Sequence, residues 1–421
     1  MNPMSARLSL MMFLQFFVWG AWYVTVGNYM TAIGWGEYVY LPYLVNPIAA
    51  IVSPFFLGLI ADRYFSTEKV LGVLHILGGL AFLAAPLVAG GEGTSVTLFI
   101  ALILVHELCY MPTLGLTNSL AFSHIDDQEK QFPLIRVFGT VGWIVAGLFV
   151  SFGLGADATP IPLYVAGGAG VLMGLYSFSL PHTPPQAAGQ QATFREIAGV
   201  GALKQLWSRP FAVFIFCSLL ICIPLAAYYS YAPVFVAESG VANPAGWMTI
   251  GQMSEVLFML VMPLFFARLG VKWMLLVGMG AWVLRYGVFA AAAPTGAFPL
   301  ILVGIALHGI CYDFFFVTGQ IYVDKKSTPA IRGQAQGLLV LVTYGVGMLI
   351  GGFIAGMVYN GFLGETAEAL TPDQFQTFWT IPALFAGLIL LLFGFLFKDD
   401  TPKTEAAPAL DSPDLVAGAA T

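Results

Sequence analysis

Residues 181–210 read PHTPPQAAGQQATFREIAGVGALKQLWSRP, the longest polar stretch inside an otherwise oily chain. Pro, Gln, Ala and scattered charges fill it, and no such segment can cross hydrocarbon with its backbone unsatisfied. On each side of it, apolar runs of about 20 residues, the length that spans a ~30 Å hydrocarbon core, recur one after another. Six precede it and six follow. The stretch therefore divides the chain into a six-span half at 1–180, a cytoplasmic linker at 181–209 and a second six-span half at 210–397. A tail at 398–421, with Pro402, Pro408 and Pro413 among small and acidic residues, reads as disordered.

The composition agrees. Of 421 residues, 59% are hydrophobic and only 9% charged, and the mean hydropathy is +0.85. A soluble domain carries roughly 25% charged residues. The chain is an all-α, polytopic membrane protein whose surroundings are lipid. The runs lie near 8–32, 38–61, 69–90, 95–122, 131–153 and 161–180, then 210–236, 246–268, 272–293, 298–322, 333–359 and 375–397.

Lys and Arg collect in short cytoplasmic loops. With the N-terminus inside, Arg7, Arg63, Lys69, Lys130, Arg195, Lys204, Arg209, Arg268, Lys272, Lys325, Lys326, Arg332, Lys398 and Lys403 all fall on the cytoplasmic side or its boundary. Glu37, Glu92, Asp157, Glu238, Glu365 and Glu368 take the other side. Both termini are thus expected inside. The formal net charge of −6 implies neither an acidic partner nor nucleic acid. One basic residue followed by an apolar run of full spanning length reads as a retained first helix, not a cleaved leader. Cys109, Cys217, Cys222 and Cys311 lie inside the runs without metal or disulfide spacing and are expected to pack.

Two internal echoes point to duplication. PLIR (133–136), entering the fifth run, returns as PAIR (329–332), entering the eleventh, and PFFLGLIADR, leaving the second, is echoed by PLFFARLG, leaving the eighth. Repeated halves with a site between them near the bilayer midplane are a general plan of secondary transporters.

Ionisable groups inside the runs are costly and mark candidate sites. They are Glu107, Arg136, Glu255, Arg285 and Asp313, joined by His106 and His308. Three acids against two arginines leave one carboxylate without a cationic partner, a candidate proton carrier. Residues three, four or seven apart share a helix face. Arg136, Thr140 and Trp143 then form one stripe, and Gln252 and Glu255 another. In LHGICYDFFF (307–316), His308, Gly309, Tyr312, Asp313 and Phe316 fit within an arc of about 140°. Gln15, Trp19, Trp22 and Tyr29 share a side of the first run, although Trp22 and Tyr29 also suit the membrane interface as anchors. His106, Tyr110, Thr113 and Thr117 align in the fourth, beside Glu107. Arg285 suits equally a structural pairing with an acid or carbonyl. Aromatic faces with carboxylates and amides between them suit a flat, neutral, hydroxylated solute. No metal-spaced His and Cys set, serine nucleophile motif or phosphate loop is present, so the residues point neither to an enzyme nor to a cofactor.

GLIADRYFSTEK (58–69) resembles the loop between the second and third spans of the major facilitator superfamily, with Asp62 and Arg63 as a cytoplasmic gate latch; Phe65 stands where a glycine is usual. More specifically, FLQFFVWGAWYVTVGNYM, YMPTLGLTNSL, FPLIRVFGTVGW, QMSEVLFMLVMPLF, WVLRYGVFA and YDFFFVTGQIYVDKKSTPAIRGQAQG resemble the nucleoside:proton symporter family of that superfamily over nearly the whole transmembrane chain. The resemblance implies a bacterial inner-membrane permease, working as a monomer, that imports nucleosides with protons by alternating access. It carries substrate contacts onto Arg136, Thr140, Trp143, Gln252, Glu255 and Asp313, and a proton-linked group onto one of the acids. With Gln15, Trp19, Tyr228, His308 and Tyr312 these make the candidate substrate site, and Glu255, Asp313 and Glu107 the candidate proton carriers. Leu225 and Tyr228 replace a Gln and an Asn of the pattern, and His308 and Tyr312 replace aromatics near Asp313. These departures leave a sugar or oligosaccharide symporter as the alternative.

Overall fold

The computed structural model describes residues 2–56, 64–90, 95–185, 200–328, 331–365 and 367–400. The gate pair Asp62 and Arg63 lies outside the described residues, as does most of the expected disordered tail. Every regular element among the described residues is helical. The first half holds α1 (Pro3–Trp22), α2 (Val26–Ala32), α3 (Leu41–Phe56), α4 (Thr67–Ala84), α5 (Val96–Ser123), α6 (Gln128–Leu148) and α7 (Ile161–Ser177). Within the expected linker lies a short helix, α8 (Val200–Leu206). The second half holds α9 (Arg209–Glu238), α10 (Pro244–Ala292), α11 (Phe298–Ala306), α12 (His308–Tyr312), α13 (Thr318–Lys326), α14 (Arg332–Val340), α15 (Met348–Phe362) and α16 (Pro372–Leu396).

Among the described residues, nine helices are long and apolar enough to cross a membrane, and α3 and α7 are shorter apolar helices. The 49-residue α10 is two rods, because Gly270 turns the chain with φ 64° and ψ −178°. That backbone conformation favours glycine, and it falls between the eighth and ninth apolar runs. The first run, expected as one rod, breaks between α1 and α2, where Thr25 Oγ1 donates to the Trp22 carbonyl at 3.0 Å.

Helix starts follow local chemistry. Asn2, Ser95, Asp127 and Ser208 each accept from a backbone N–H of the first turn, at 2.7, 3.2, 3.1 and 3.3 Å. Thr371 and Gln374 form a reciprocal capping box. Each cap contributes about 1 kcal/mol. Opposite ends are closed by cations: Lys272 Nζ donates to the carbonyls of Gly394 (2.9 Å) and Phe397 (2.8 Å) at the end of α16. Arg7 bonds the Ser179 carbonyl just beyond α7. Lys326, at the end of α13, pairs with Asp400.

Small residues set the helix spacings that place the site. At Gly20 of α1 an added Cβ would lie 2.8 Å from the Trp143 backbone, and at Gly142 of α6 it would strike the Phe13 carbonyl. Helices approach this closely only where side chains are absent, the usual device where lipid supplies no hydrophobic drive. The second half packs on rings instead: Tyr231 stacks on Tyr359 at 4.0 Å, and the Trp379 ring meets Phe235, Tyr286 and Phe289. Trp22 and Tyr29, which also suited interface anchoring, are buried, with Trp22 edge-on to Phe82 at 4.9 Å. They are packing residues.

The halves meet at the end of the molecule away from both chain ends. There Asp157 accepts from the Ala245 N–H at 2.7 Å, Asn360 Nδ2 donates to the Glu37 carbonyl at 2.9 Å, and Gly36 N–H points at Glu368 at 3.4 Å.

Candidate functional site

Between the halves lies a cavity of about 160 Å³ whose walls come from α1, α3 and α6 on one side and α9, α10, α12, the segment at 341–347 and α15 on the other. Eight of the residues expected from sequence line it: Trp19, Arg136, Thr140, Trp143, Gln252, Glu255, His308 and Tyr312. Their spacing on each helix accounts for their convergence. Arg136, Thr140 and Trp143 are stacked on one face of α6, and Gln252 and Glu255 on one face of α10.

Arg136 lies with its guanidinium carbon 4.1 Å from the Phe16 ring centroid. The Trp19 and Trp143 rings meet edge to face at 5.3 Å, the contact that Gly20 permits. They make an aromatic corner of the cavity that Thr140 also lines. Across the cavity Glu255 is partly open, its side chain 21% exposed, with Oε2 3.8 Å from His308 Nε2. Behind His308 the buried Arg285 donates from Nη1 to His308 Nδ1 at 3.1 Å, with its guanidinium carbon 3.2 Å from the Tyr228 ring centroid. Arg285, considered for an acid or a carbonyl, is thus held by an imidazole and a ring face. Such a desolvated cation–π contact contributes ~2 kcal/mol. Tyr344, in a π-helical segment at Leu341–Gly347, donates its hydroxyl to that of Tyr312 at 2.6 Å.

Four expected residues are placed off this cavity. Gln15 is buried in the first half, donating to Thr113 Oγ1 at 2.7 Å and meeting His75 Nε2 at 2.8 Å. Tyr228 lies under Arg285 and lines a smaller neighbouring pocket of about 20 Å³ in place of the central cavity. Asp313 opens a π-helical turn, Asp313–Val317, and is fully buried, with neither carboxylate oxygen hydrogen-bonded among the described residues. His308 and Tyr312, in the α-helical turn, line the cavity, and Asp313, where the helix passes into its π-helical turn, is not among the lining residues. Glu107 is also fully buried, one residue removed from the cavity: Asn46, which lines it, donates from Nδ2 to Glu107 Oε2 at 3.0 Å.

Phe16, Tyr23, Asn46, Tyr229, Tyr344 and Met348 also line the cavity and were not expected there. Asn46 carried a readable signal, a lone amide in an oily run. Tyr229 stands beside the expected Tyr228, a difference of 100° around the helix that composition cannot resolve.

The sequence pattern of the family described as "Nucleoside H+ symporter" matches residues 1–402. The chain is 40% identical over 414 residues to the putative nucleoside transporter YegT of Escherichia coli (strain K12), covering 96% of each chain. It is 33% identical to the xanthosine permease of the same organism, covering 94% of this chain and 97% of that one. The crystal structure of the nucleoside transporter NupG superposes with a TM-score of 0.83 at 30% identity, over 95% of this chain and all of that one. These matches run the length of both halves. The chain belongs to the nucleoside H+ symporter family.

Proposed function

We propose that the central cavity is where this proton-coupled nucleoside importer holds its substrate, and that Glu255 and Asp313 are the groups through which the proton acts. The observation that carries the reading is the make-up of the cavity wall. Aromatic faces (Trp19, Trp143, Tyr229) lie beside a fixed cation (Arg136), an amide (Gln252), a hydroxyl (Thr140) and a carboxylate (Glu255), drawn from both halves. Rings stack on a base, and the polar groups bond ribose hydroxyls and base edges. Because the wall belongs to both halves, substrate and proton together favour the state in which the halves approach, a population shift by differential affinity.

The proton assignment rests on burial. Leaving a buried carboxylate charged and unpaired costs several kcal/mol, which a bound proton removes. Asp313 has no hydrogen-bond partner among the described residues and directly follows the cavity residue Tyr312. Glu255 lies on the cavity itself. Glu107, screened by Asn46, is the third candidate.

Twelve membrane crossings follow if α10 is counted as two rods about Gly270 and α3 and α7 as crossings. The basic residues that close helix ends beside both chain ends, Arg7, Lys272 and Lys326, support a cytoplasmic location for both termini. The seam through Asp157 would then shut the outer side of the inner membrane. One chain supplies the whole cavity, so a monomer suffices.

The test is uptake of radiolabelled uridine and adenosine into proteoliposomes under an inward proton gradient, with and without a protonophore, and with excess unlabelled glucose. Protonophore-sensitive accumulation that glucose leaves intact is expected. Glu255→Gln should abolish proton-driven accumulation; normal accumulation in that variant would clear Glu255 of the role. Accumulation of a sugar in place of either nucleoside would overturn the substrate reading.

A further inference from the structure

Arg285 has no place in the cavity, yet it is one of the largest fully buried side chains in the molecule. Its contact with His308 has a chemical consequence. A guanidinium stays protonated and offers only donors. Donation from Arg285 Nη1 to His308 Nδ1 at 3.1 Å therefore requires a lone pair on Nδ1. The imidazole proton must then sit on Nε2, the nitrogen that faces Glu255 Oε2 at 3.8 Å. A second proton on Nδ1 would point at the guanidinium and lose the hydrogen bond.

We infer that Arg285 is a positioning residue that locks His308 as a neutral imidazole with Nε2–H turned to the cavity, so that His308 serves as a fixed donor to the substrate and does not carry the transported proton. The inference rests on the cavity being the nucleoside site and deepens it: the ligand atom that meets His308 is an acceptor, such as a base carbonyl or an unprotonated ring nitrogen. Tyr228 completes the device from the far side, its ring face holding the guanidinium at 3.2 Å. The charged and titratable groups around His308 are Arg285 and Glu255 from α10, Tyr228 and Tyr229 from α9, and Tyr312 from its own helix. Glu255 is the one carboxylate among these neighbours, and it faces Nε2 and not Nδ1. His308 thus faces Glu255 across 3.8 Å as a neutral group and does not compete for its proton.

The deciding measurement is the side-chain ¹⁵N spectrum of histidine-labelled, substrate-free protein in nanodiscs, with His308 assigned by its loss in His308→Gln. The neutral Nε2–H form is expected to persist between about pH 5.5 and 8, a range in which a free histidine titrates. Arg285→Met should release His308 into mixed tautomers or let it titrate; Arg285→Lys, which keeps a cationic donor, should retain the wild-type signature. A His308 that titrates in the wild type, or shows Nδ1–H, overturns the proposal whatever the substrate proves to be. In uptake, Arg285→Met should raise the uridine KM about tenfold, as expected for a lost directional hydrogen bond. Added to His308→Gln, whose amide is a donor needing no tautomer, the same change should cost less than about twofold. An equal penalty in both backgrounds would reduce Arg285 to a packing residue and refute the positioning role.

Discussion

Replacing Asp157 should loosen one end of the transporter. Asn243, ahead of α10, has a left-handed backbone (φ 56°, ψ 55°) and makes no side-chain cap. The orphan N–H of Ala245 in the first turn of α10 is met by Asp157, which comes from the other half of the chain and is held by Ser151 Oγ at 2.7 and 3.0 Å. The Ser151 bonds stay within one half. Of the bonds Asp157 makes, the 2.7 Å bond to Ala245 is the one lost when the halves part at this end. A hydrogen bond to a charged group contributes ~1.5–3 kcal/mol, and an anion at a helix N-terminus adds ~0.3–1 kcal/mol. Water takes back part of this once the seam opens, so ~2 kcal/mol is a central value for the latch. At 1.36 kcal/mol per decade, Asp157→Ala should shift the equilibrium toward the state open at this end about 30-fold. Asp157→Asn, which keeps an acceptor without the charge, should shift it about fivefold. The assay is double electron–electron resonance between spin labels at Ala158 and Ala242, both exposed and on opposite sides of the seam. A longer-distance population should appear or grow in Asp157→Ala and be intermediate in Asp157→Asn. Identical distance distributions in all three proteins would show that the bond carries no conformational energy.

Three further outcomes follow from particular contacts. Tyr344→Phe and Tyr312→Phe should each weaken uridine binding about fivefold by calorimetry, while the double variant costs less than the two summed. Each single change strands one hydroxyl of a 2.6 Å pair, worth ~1 kcal/mol, and the double change strands none. Gln15→Leu should lower thermal stability by ~2 kcal/mol, because His75 and Thr113 lose a buried partner. It should leave the uridine KM within about twofold, since Gln15 does not reach the cavity; a KM change without a stability change would refute that placement. Gly142→Ala should cost ~1–3 kcal/mol of stability in a thermal melt, as α1 and α6 are wedged apart at the Phe13 carbonyl. It should also weaken uridine binding, because Trp19 and Trp143 are positioned by that approach.

The long apolar helices were legible because an oily run of ~20 residues satisfies its own backbone groups most simply as a helix. The stripes Arg136–Thr140–Trp143 and Gln252–Glu255 were legible because helical period alone aligns them. What the sequence concealed depends on rotation and on local departures from that period. Tyr228 and Tyr229 differ only in which faces the cavity, and neighbours on α9 that are equally oily give no clue. Asp313 begins a π-helical turn, and Tyr344 sits within another, so a regular 3.6-residue count places neither. Arg285 was visible as a charge in oil, but its partner is an imidazole 23 positions on, selected by packing and not by opposite charge.

Two sets of buried polar groups differ in how far they are satisfied, and the difference bears on where the proton acts. In the first half, Gln15, Thr113 and His75 form a closed set, and Tyr110 donates to the Gln15 carbonyl at 2.6 Å. A set satisfied in this way is rigid and gains nothing from taking up a proton. In the second half, Asp313 has no hydrogen bond among the described residues, and Glu255 has only a histidine donor at 3.8 Å, too long for one. Substrate or proton arriving there changes the balance of a group that is not yet satisfied, which is the differential interaction that drives a switch between states. Arg136 reaches into the same cavity from the first half. A nucleoside lying between Arg136 and Glu255 would therefore bridge the two halves, and coupling variants are expected to act at the incompletely satisfied carboxylates, Glu255 and Asp313 and then Glu107, whose Oε1 has no partner among the described residues.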